Sequence, residues 1–318
     1  MKKNPIGRTN VMVTSLGFGG APIGNLYRAT SDDDADEAVR VAWDDGVRYF
    51  DTAPHYGLGL SERRLGRALA AKVRGEFVLS TKVGRLLTPN PHPVGSDLET
   101  GAFDVPDDLT RTLDYSPDGV KKSIEESLRR LGTDYVDIVY VHDPDDHVDQ
   151  AIRETFPALV KLRDEGLVRA IGAGMNYWQP LLKFVQTSDI DVVMLAGRWT
   201  LLDRTGAPLL QACEERGVAV VSAAPFNSGI LSRAKPQSDA HFDYQGVSAE
   251  LFVRAQALAA TCDSFGVELP AAAINFPLRE KSVVSVVAGF RSAAQIRDGV
   301  RWMTDAIPEG LWKALERH

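Results

Sequence analysis

The stretch VRYFDTAPHYGLGLSERRLG, Val47 to Gly66, passes from one kind of structure to another within a short span. Val47–Asp51 is a brief, nearly continuous apolar run rich in β-formers, which reads as a strand covered on both faces. Pro54, Gly57 and Gly59 then break the chain. From Ser61 to Lys72 the pattern is helical, with its charges on one side. Asp51, His55 and Tyr56 stand where the strand stops.

The same unit recurs along the chain. Strand-like runs are expected at Ser15–Gly20, Val47–Asp51, Phe77–Lys82, Val136–His142, Val168–Gly172, Val192–Ala196, Val218–Ala223 and Val283–Ala288. Helical patterns lie at Asp32–Asp45, Ser61–Lys72, Pro117–Leu131, Val148–Glu165, Gln179–Gln186, Ala207–Arg216, Ala249–Phe265 and Ala293–Met303. Strands alternating with helices give parallel βαβ units. Eight of them predict an α/β fold, a closed (β/α)8 TIM barrel, as one domain over residues 1–318. Arg8–Thr14 reads as a small hairpin before the first barrel strand, placed to cap the barrel floor. Two βα connections, Gly84–Ser116 and Pro225–Ser248, are long and rich in Pro, Gly, Asp and Ser, which marks lids or loop tips above the site-bearing face.

The 318 residues are 44% apolar and 25% charged, with a formal net charge of −7. Without a Lys/Arg-rich block, nucleic acid and anionic membrane are disfavoured as partners. No apolar run approaches the roughly 18 residues of a membrane span, and no signal-like segment follows Met1-Lys2-Lys3. Cys213 and Cys262 form no CxxC pair and read as reduced, buried thiols of a cytoplasmic protein. Ser31-Asp32-Asp33-Asp34 looks acidic enough for a cation, but Ser31 is a good N-cap and acids favour a first helical turn. The run from His142 to His147 lacks zinc or EF-hand spacing, so no metal is expected.

In a barrel the C-terminal strand ends face one mouth, and active sites are built there. Asp51 ends the second strand, with Tyr56 just beyond it; Lys82 ends the third and His142 the fourth. A phenol with a pKa of about 10 is a poor proton acceptor at neutral pH, and a neighbouring ammonium improves it by stabilising the phenolate. Asp51 would hold Lys82, and His142 would hydrogen-bond the substrate oxygen. Such a set moves a proton while hydride moves at carbon, which calls for a nicotinamide or flavin. The dinucleotide fingerprint is absent at both Gly17-Phe18-Gly19-Gly20 and Gly57-Leu58-Gly59, so the cofactor must lie across the barrel mouth.

These motifs, namely LGFGG, FDTAPHYG, GLSERRLG, STKVGR, YVHDP, AIGAGMN and VVAGFRSAAQI, resemble the aldo-keto reductases over nearly the whole chain. The resemblance implies a catalytic tetrad of Asp51, Tyr56, Lys82 and His142, with Tyr56 as the proton-transferring group. It implies NAD or NADP held by Gly20, Asn176, Phe226, Gly229, Leu231, Gly289, Arg291 and Gln295. Met175, Ala196 and Ala223 depart from the usual cofactor residues, so Phe226 or Trp199 is expected to cover the nicotinamide. Arg291 offers a guanidinium suited to a 2′-phosphate, which leaves NAD and NADP both open.

The stretches SLGFGGAPIGNLY, MLAGRWTLLDR and SAAPFNSGIL resemble the bacterial aldose 1-dehydrogenase branch, which acts on L-fucose and D-threo-aldoses. Pyridoxal 4-dehydrogenase and plant-type L-galactose dehydrogenases lie close to it. That branch implies oxidation of a sugar's C1 hydroxyl to a lactone; by their positions at the strand ends, His55, Asp143, Arg198 and Trp199 are the candidate substrate contacts. The expected partner is a small sugar, and the expected state a monomer or small homo-oligomer. Two other readings are a general carbonyl reductase, separable by its preferred direction, and a nucleotide-binding sensor subunit, separable by negligible turnover.

Overall fold

The computed structural model describes residues 1–242 and 245–318. Eight strands close into a parallel barrel: β1 (Leu16–Gly19), β2 (Tyr49–Asp51), β3 (Val78–Val83), β4 (Val136–His142), β5 (Val168–Met175), β6 (Val192–Ala196), β7 (Ala219–Ala223) and β8 (Val283–Gly289). They follow one another around the barrel in chain order, and β8 pairs with β1 to close it. The expected (β/α)8 architecture is what forms, with strand boundaries within a few residues of those read from the sequence.

Period-two alternation places the site. In β2, β3 and β4 the residues Tyr49, Val78, Ile138 and Tyr140 belong to the apolar filling of the barrel interior. Asp51, Ser80, Lys82 and His142 continue those same rows toward the mouth, because every second side chain of a strand shares a face. Phe50, Leu79, Val139 and Val141 point the other way, into the larger core under the helices. Register fixes the heights: Asp51 lies beside Ser80, Lys82 beside Tyr140, and His142 beside Gly174.

The N-terminal hairpin is present but begins earlier than expected, pairing Lys3–Pro5 with Met12–Thr14. Its first strand, Lys-Asn-Pro, has no apolar alternation to reveal it. Ile6, Val11 and Val13 are fully buried in the barrel-interior cluster, and the Asn4 side chain donates to the Val284 carbonyl at 2.7 Å, so the hairpin closes the floor.

The helix expected at Val148–Glu165 is interrupted by a wider π turn at Ala151–Thr155, between helical Val148–Gln150 and Phe156–Asp164. Pro157 accounts for it, since it lacks an N–H and its ring crowds the carbonyl four residues back. Helices at Leu269–Asn275 and Glu309–Leu315 were not evident in the sequence. Neither was the fold of the Gly84–Ser116 connection, where Arg85–Pro89 pairs antiparallel with Leu109–Leu113. The second long connection carries a short strand pair, His241–Phe242 with Gln245–Gly246.

The helix Leu60–Leu69 departs from its pattern, because Ser61, Glu62 and Arg64 are buried. Each charge is matched. Glu62 accepts from Thr81 Oγ1 at 2.7 Å and pairs with Arg130, while Arg64 binds Asp32 and the carbonyls of Ile23 and Thr30. Buried charge tolerated by full pairing is invisible to a hydropathy pattern. Ser31 caps the helix Asp32–Asp44, accepting from the Asp34 N–H at 3.1 Å. Cys213 and Cys262 are buried and unbridged, and burial pushes both thiols up to about 12. Among the described residues no single helix is long and apolar enough to cross a membrane.

Candidate active site

At the mouth, Lys82 Nζ donates to both Asp51 oxygens, at 2.9 and 2.7 Å, and to the Thr52 carbonyl at 3.0 Å. Both side chains are almost wholly buried. The ammonium sits 4.8 Å from the centre of the Tyr56 ring and has the Tyr56 hydroxyl as a further hydrogen-bond partner. Burial opposes the Lys82 charge, but Asp51 and Tyr56 outweigh it and hold the pKa above the ordinary lysine value. The pair therefore persists as carboxylate and ammonium, with the ammonium presented to a phenol.

A buried chain of hydroxyls reaches Asp51 from inside the barrel. Ser80 Oγ is 2.7 Å from Asp51 Oδ1 and 3.2 Å from the Tyr49 hydroxyl, which is 3.1 Å from the Tyr140 hydroxyl. An ionised carboxylate only accepts, so Ser80 gives its single proton to Asp51 and accepts from Tyr49; Tyr49 in turn accepts from Tyr140. Burial raises the pKa of both phenols, which keeps them neutral donors. Desolvation of Asp51 is thereby offset by hydrogen bonds on several sides.

His142 is buried, and desolvation together with Arg85, Lys82, His55 and Arg111 holds its pKa well below the usual histidine value. It is a neutral imidazole, its ring centre 5.9 Å from that of Tyr56. Tyr115 fixes the backbone behind it, donating to the His142 and Asp143 carbonyls at 2.8 and 2.9 Å. Asp143 takes the left-handed region at φ 42°, and its carboxylate accepts from Arg85 at 2.9 Å.

His55 closes the mouth from the Tyr56 side, with ring centres 5.6 Å from His142 and 5.2 Å from Phe103. Phe103 belongs to the Gly84–Ser116 connection and packs with Leu58 beside Tyr56. The same connection brings Arg111 onto His55 and Asp97 onto Arg111. Sequence reading missed both residues. The available signal was the alternating run Leu-Thr-Arg-Thr-Leu at 109–113, a strand pattern with a cation on one face.

Elsewhere on the rim, Arg198 lies 3.6 Å from the Asp203 carboxylate, and Trp199 packs at a tilt against Phe276, with ring centres 5.6 Å apart. Gly20 donates to the Asp51 carbonyl at 2.8 Å and has no room for a side chain, since a Cβ would lie 2.6 Å from Ser61 Oγ. Asn176 directly follows β5 and is half-buried. Phe226 packs edge-on against Trp302 at 6.1 Å. Gly229 has φ 114°, and Leu231 is wholly buried, its N–H donating to the Phe226 carbonyl at 3.2 Å. At the end of β8, Gly289 faces Pro22, and beyond it Gln295 accepts from the Arg291 N–H at 2.9 Å. The Arg291 guanidinium is engaged by the carbonyls of Leu26 and Arg28, at 2.7 and 3.1 Å, and by Thr30 Oγ1 at 2.8 Å.

A lysine–carboxylate pair on a tyrosine with a neutral histidine opposite, at the mouth of a (β/α)8 barrel, can exchange a proton with a substrate oxygen. The aldo/keto reductase family model matches residues 15–318. The chain belongs to the aldo-keto reductase family. This aldo-keto reductase is 48% identical over 306 residues to a D-threo-aldose 1-dehydrogenase of a Pseudomonas species, covering 95% of this chain and 93% of that protein. It is 40% identical to the pyridoxal 4-dehydrogenase of Microbacterium luteolum, over 99% of this chain and 96% of that one. Among solved structures, the holo form of an aldo-keto reductase from Bacillus halodurans superposes with a TM-score of 0.79 at 26% identity, over 100% of this chain and 96% of that one.

Buried polar atoms without a protein partner lie beside β6 and β7: Trp199 Nε1 and Asn227 Oδ1. An unmatched donor and an unmatched acceptor where a cofactor is expected fit a polar ligand such as a nicotinamide dinucleotide.

Proposed function

We propose that this aldo-keto reductase is an NAD(P)-dependent aldose 1-dehydrogenase, oxidising the C1 hydroxyl of an aldopyranose of L-fucose, L-galactose or D-arabinose type to the lactone. The observation that carries the reading is the buried Asp51–Lys82 pair against Tyr56, in a chain 48% identical to a D-threo-aldose 1-dehydrogenase. Gly20, Asn176, Phe226, Gly229, Leu231, Gly289, Arg291 and Gln295 would hold the cofactor, which supplies the hydride acceptor when bound.

The chain's own residues handle the proton. Tyr56 is the general base that takes it from the C1 hydroxyl as the C–H bond breaks. Lys82 stabilises the phenolate form that accepts this proton, by charge and hydrogen bond, and Asp51 keeps Lys82 charged and in place. His142, neutral at working pH, orients the same oxygen by a hydrogen bond rather than competing for its proton. His55 and Asp143 line the mouth beside them, and Arg198 and Trp199 line the rim after β6. The half-buried rings and fixed polar groups suit a ring with a C–H face and several hydroxyls. Pyridoxal, the substrate named for the 40% identical relative, is flatter and would leave more of those polar groups unmatched. We place the enzyme in the cytoplasm, as a single barrel domain.

A screen of aldoses and pyridoxal with NAD and with NADP, following absorbance of the reduced cofactor and identifying the product, tests the reading. Lactone formation from an aldose is expected. Rapid oxidation of pyridoxal, with no aldose turned over at millimolar concentration, would refute the sugar assignment and leave the proton chemistry standing.

A further inference from the structure

We propose that Arg111, held by Asp97, is a positioning residue that locks His55 into a single tautomer with its proton on Nε2, making His55 a fixed hydrogen-bond donor to a lone-pair oxygen of the substrate. The inference rests on the reading of this mouth as the substrate site.

Arg111 belongs to the Leu109–Leu113 strand of the long connection. Its Nε donates to His55 Nδ1, and its Nη2 donates to the His55 carbonyl at 3.0 Å. Its Nη1 and Nη2 meet the two oxygens of Asp97 at 2.5 and 2.6 Å, and the Asp97 side chain is almost wholly buried. A guanidinium has five donors and no acceptor, and it does not lose its proton in a protein. The atom it points at must therefore carry a lone pair. With Nδ1 as acceptor, the one proton of a neutral imidazole resides on Nε2.

A second proton would break the Arg111 bond and add positive charge to a crowded site. The groups acting on the ring are Arg111 from the Leu109–Leu113 strand, Arg85 from its paired strand, Lys82 from β3 and His142 from the end of β4, with Asp143, just past β4, accepting from Arg85. Tyr56 is its chain neighbour, and Asp97 stands behind Arg111. Burial, then Arg111, Arg85 and Lys82, pull the His55 pKa down to about 2. Phe103 covers one side of the ring, while the ring centre of Tyr56 lies 6.0 Å away. A donor held beside the proton-transferring phenol selects substrates with an oxygen acceptor next to the reacting carbon. A pyranose ring oxygen or a C2 hydroxyl meets that description.

The test uses the full-length protein with Arg111→Met, and with Asp97→Asn/Arg111→Met so that no carboxylate is left buried without a partner. Nitrogen-15 NMR of the histidine rings in the free enzyme, assigned by loss of the His55 signal in His55→Gln, should show one tautomer protonated at Nε2. That signal should stay silent between about pH 5 and 8. In the arginine variants the His55 pKa should rise, though burial, Arg85 and Lys82 still hold it below the ordinary value of about 6.5, and the ring should no longer be confined to the Nε2-protonated tautomer. With L-fucose, KM should rise about 2- to 12-fold, as for loss of one hydrogen bond, with a smaller change in kcat. kcat/KM should acquire an acid limb that disappears when His55→Gln, a donor that does not titrate, is added. A wild-type His55 that titrates near pH 6.5, or carries its proton on Nδ1, overturns the proposal. So does an equal loss of activity at every pH in variants that remain folded. The NMR arm needs no substrate, so failure of L-fucose as substrate would count against the sugar reading alone.

Discussion

Replacing Lys82 with methionine removes the ammonium while keeping most of the side chain's volume. The charge lies 4.8 Å from the centre of the Tyr56 ring. At that separation and an effective dielectric constant of about 20, a unit charge pair is worth about 3.5 kcal/mol, or about 2.5 pH units of phenol acidity. Water entering the gap screens part of this, so the pH at which oxidation switches on should rise by about 1 to 2.5 units. At neutral pH the rate should fall about tenfold to a few hundredfold, each pH unit being a factor of ten in phenolate. The assay is initial velocity of cofactor reduction against pH at saturating sugar. Asp51 would be left as a buried carboxylate without its cation, at a cost of about 3–5 kcal/mol. The double variant Asp51→Asn/Lys82→Met therefore serves as the folded control, checked by thermal unfolding. An unchanged switch-on pH with activity retained would refute the role of Lys82 and reduce it to a structural partner of Asp51.

Tyr56→Phe should lower kcat at least about 10²–10⁴-fold, the usual contribution of a positioned proton acceptor, while cofactor titration by fluorescence stays near wild type; turnover within a few-fold of wild type would remove Tyr56 from the chemistry. Arg291 ties down the 26–30 segment with three hydrogen bonds, so Arg291→Ala should weaken NAD and NADP by similar factors. Selective loss of NADP binding would show instead that the guanidinium leaves those carbonyls for a 2′-phosphate. His55 and His142 are both held neutral below the ordinary histidine pKa, so the unfolded chain binds more protons and stability is lost as pH falls through 6.5. The two together predict a loss of about 2 kcal/mol between pH 6.5 and 5.5, measured by denaturant midpoints. His142→Asn should reduce that slope, and an unchanged slope would place the titration elsewhere.

The sequence by itself determined the strand–helix alternation and the residues at the strand ends. Those features are local: a doubly covered strand is a continuous apolar run, and a strand's side chains alternate, so Asp51, Lys82 and His142 follow from where β2, β3 and β4 stop. What surrounds them was decided only by tertiary structure. The proton on His55 is set by Arg111, 56 residues along the chain. The carboxylate of Asp51 is supported by a hydroxyl chain linking Tyr49 to Tyr140 across 91 residues. Arg291 is engaged by carbonyls more than 260 residues before it. Glu62 and Arg64 sit inside the protein because partners from other helices and strands meet their charges. Hydrogen bonds and ion pairs leave no periodicity in a sequence, since their direction and strength depend on distances that exist only once the barrel has closed.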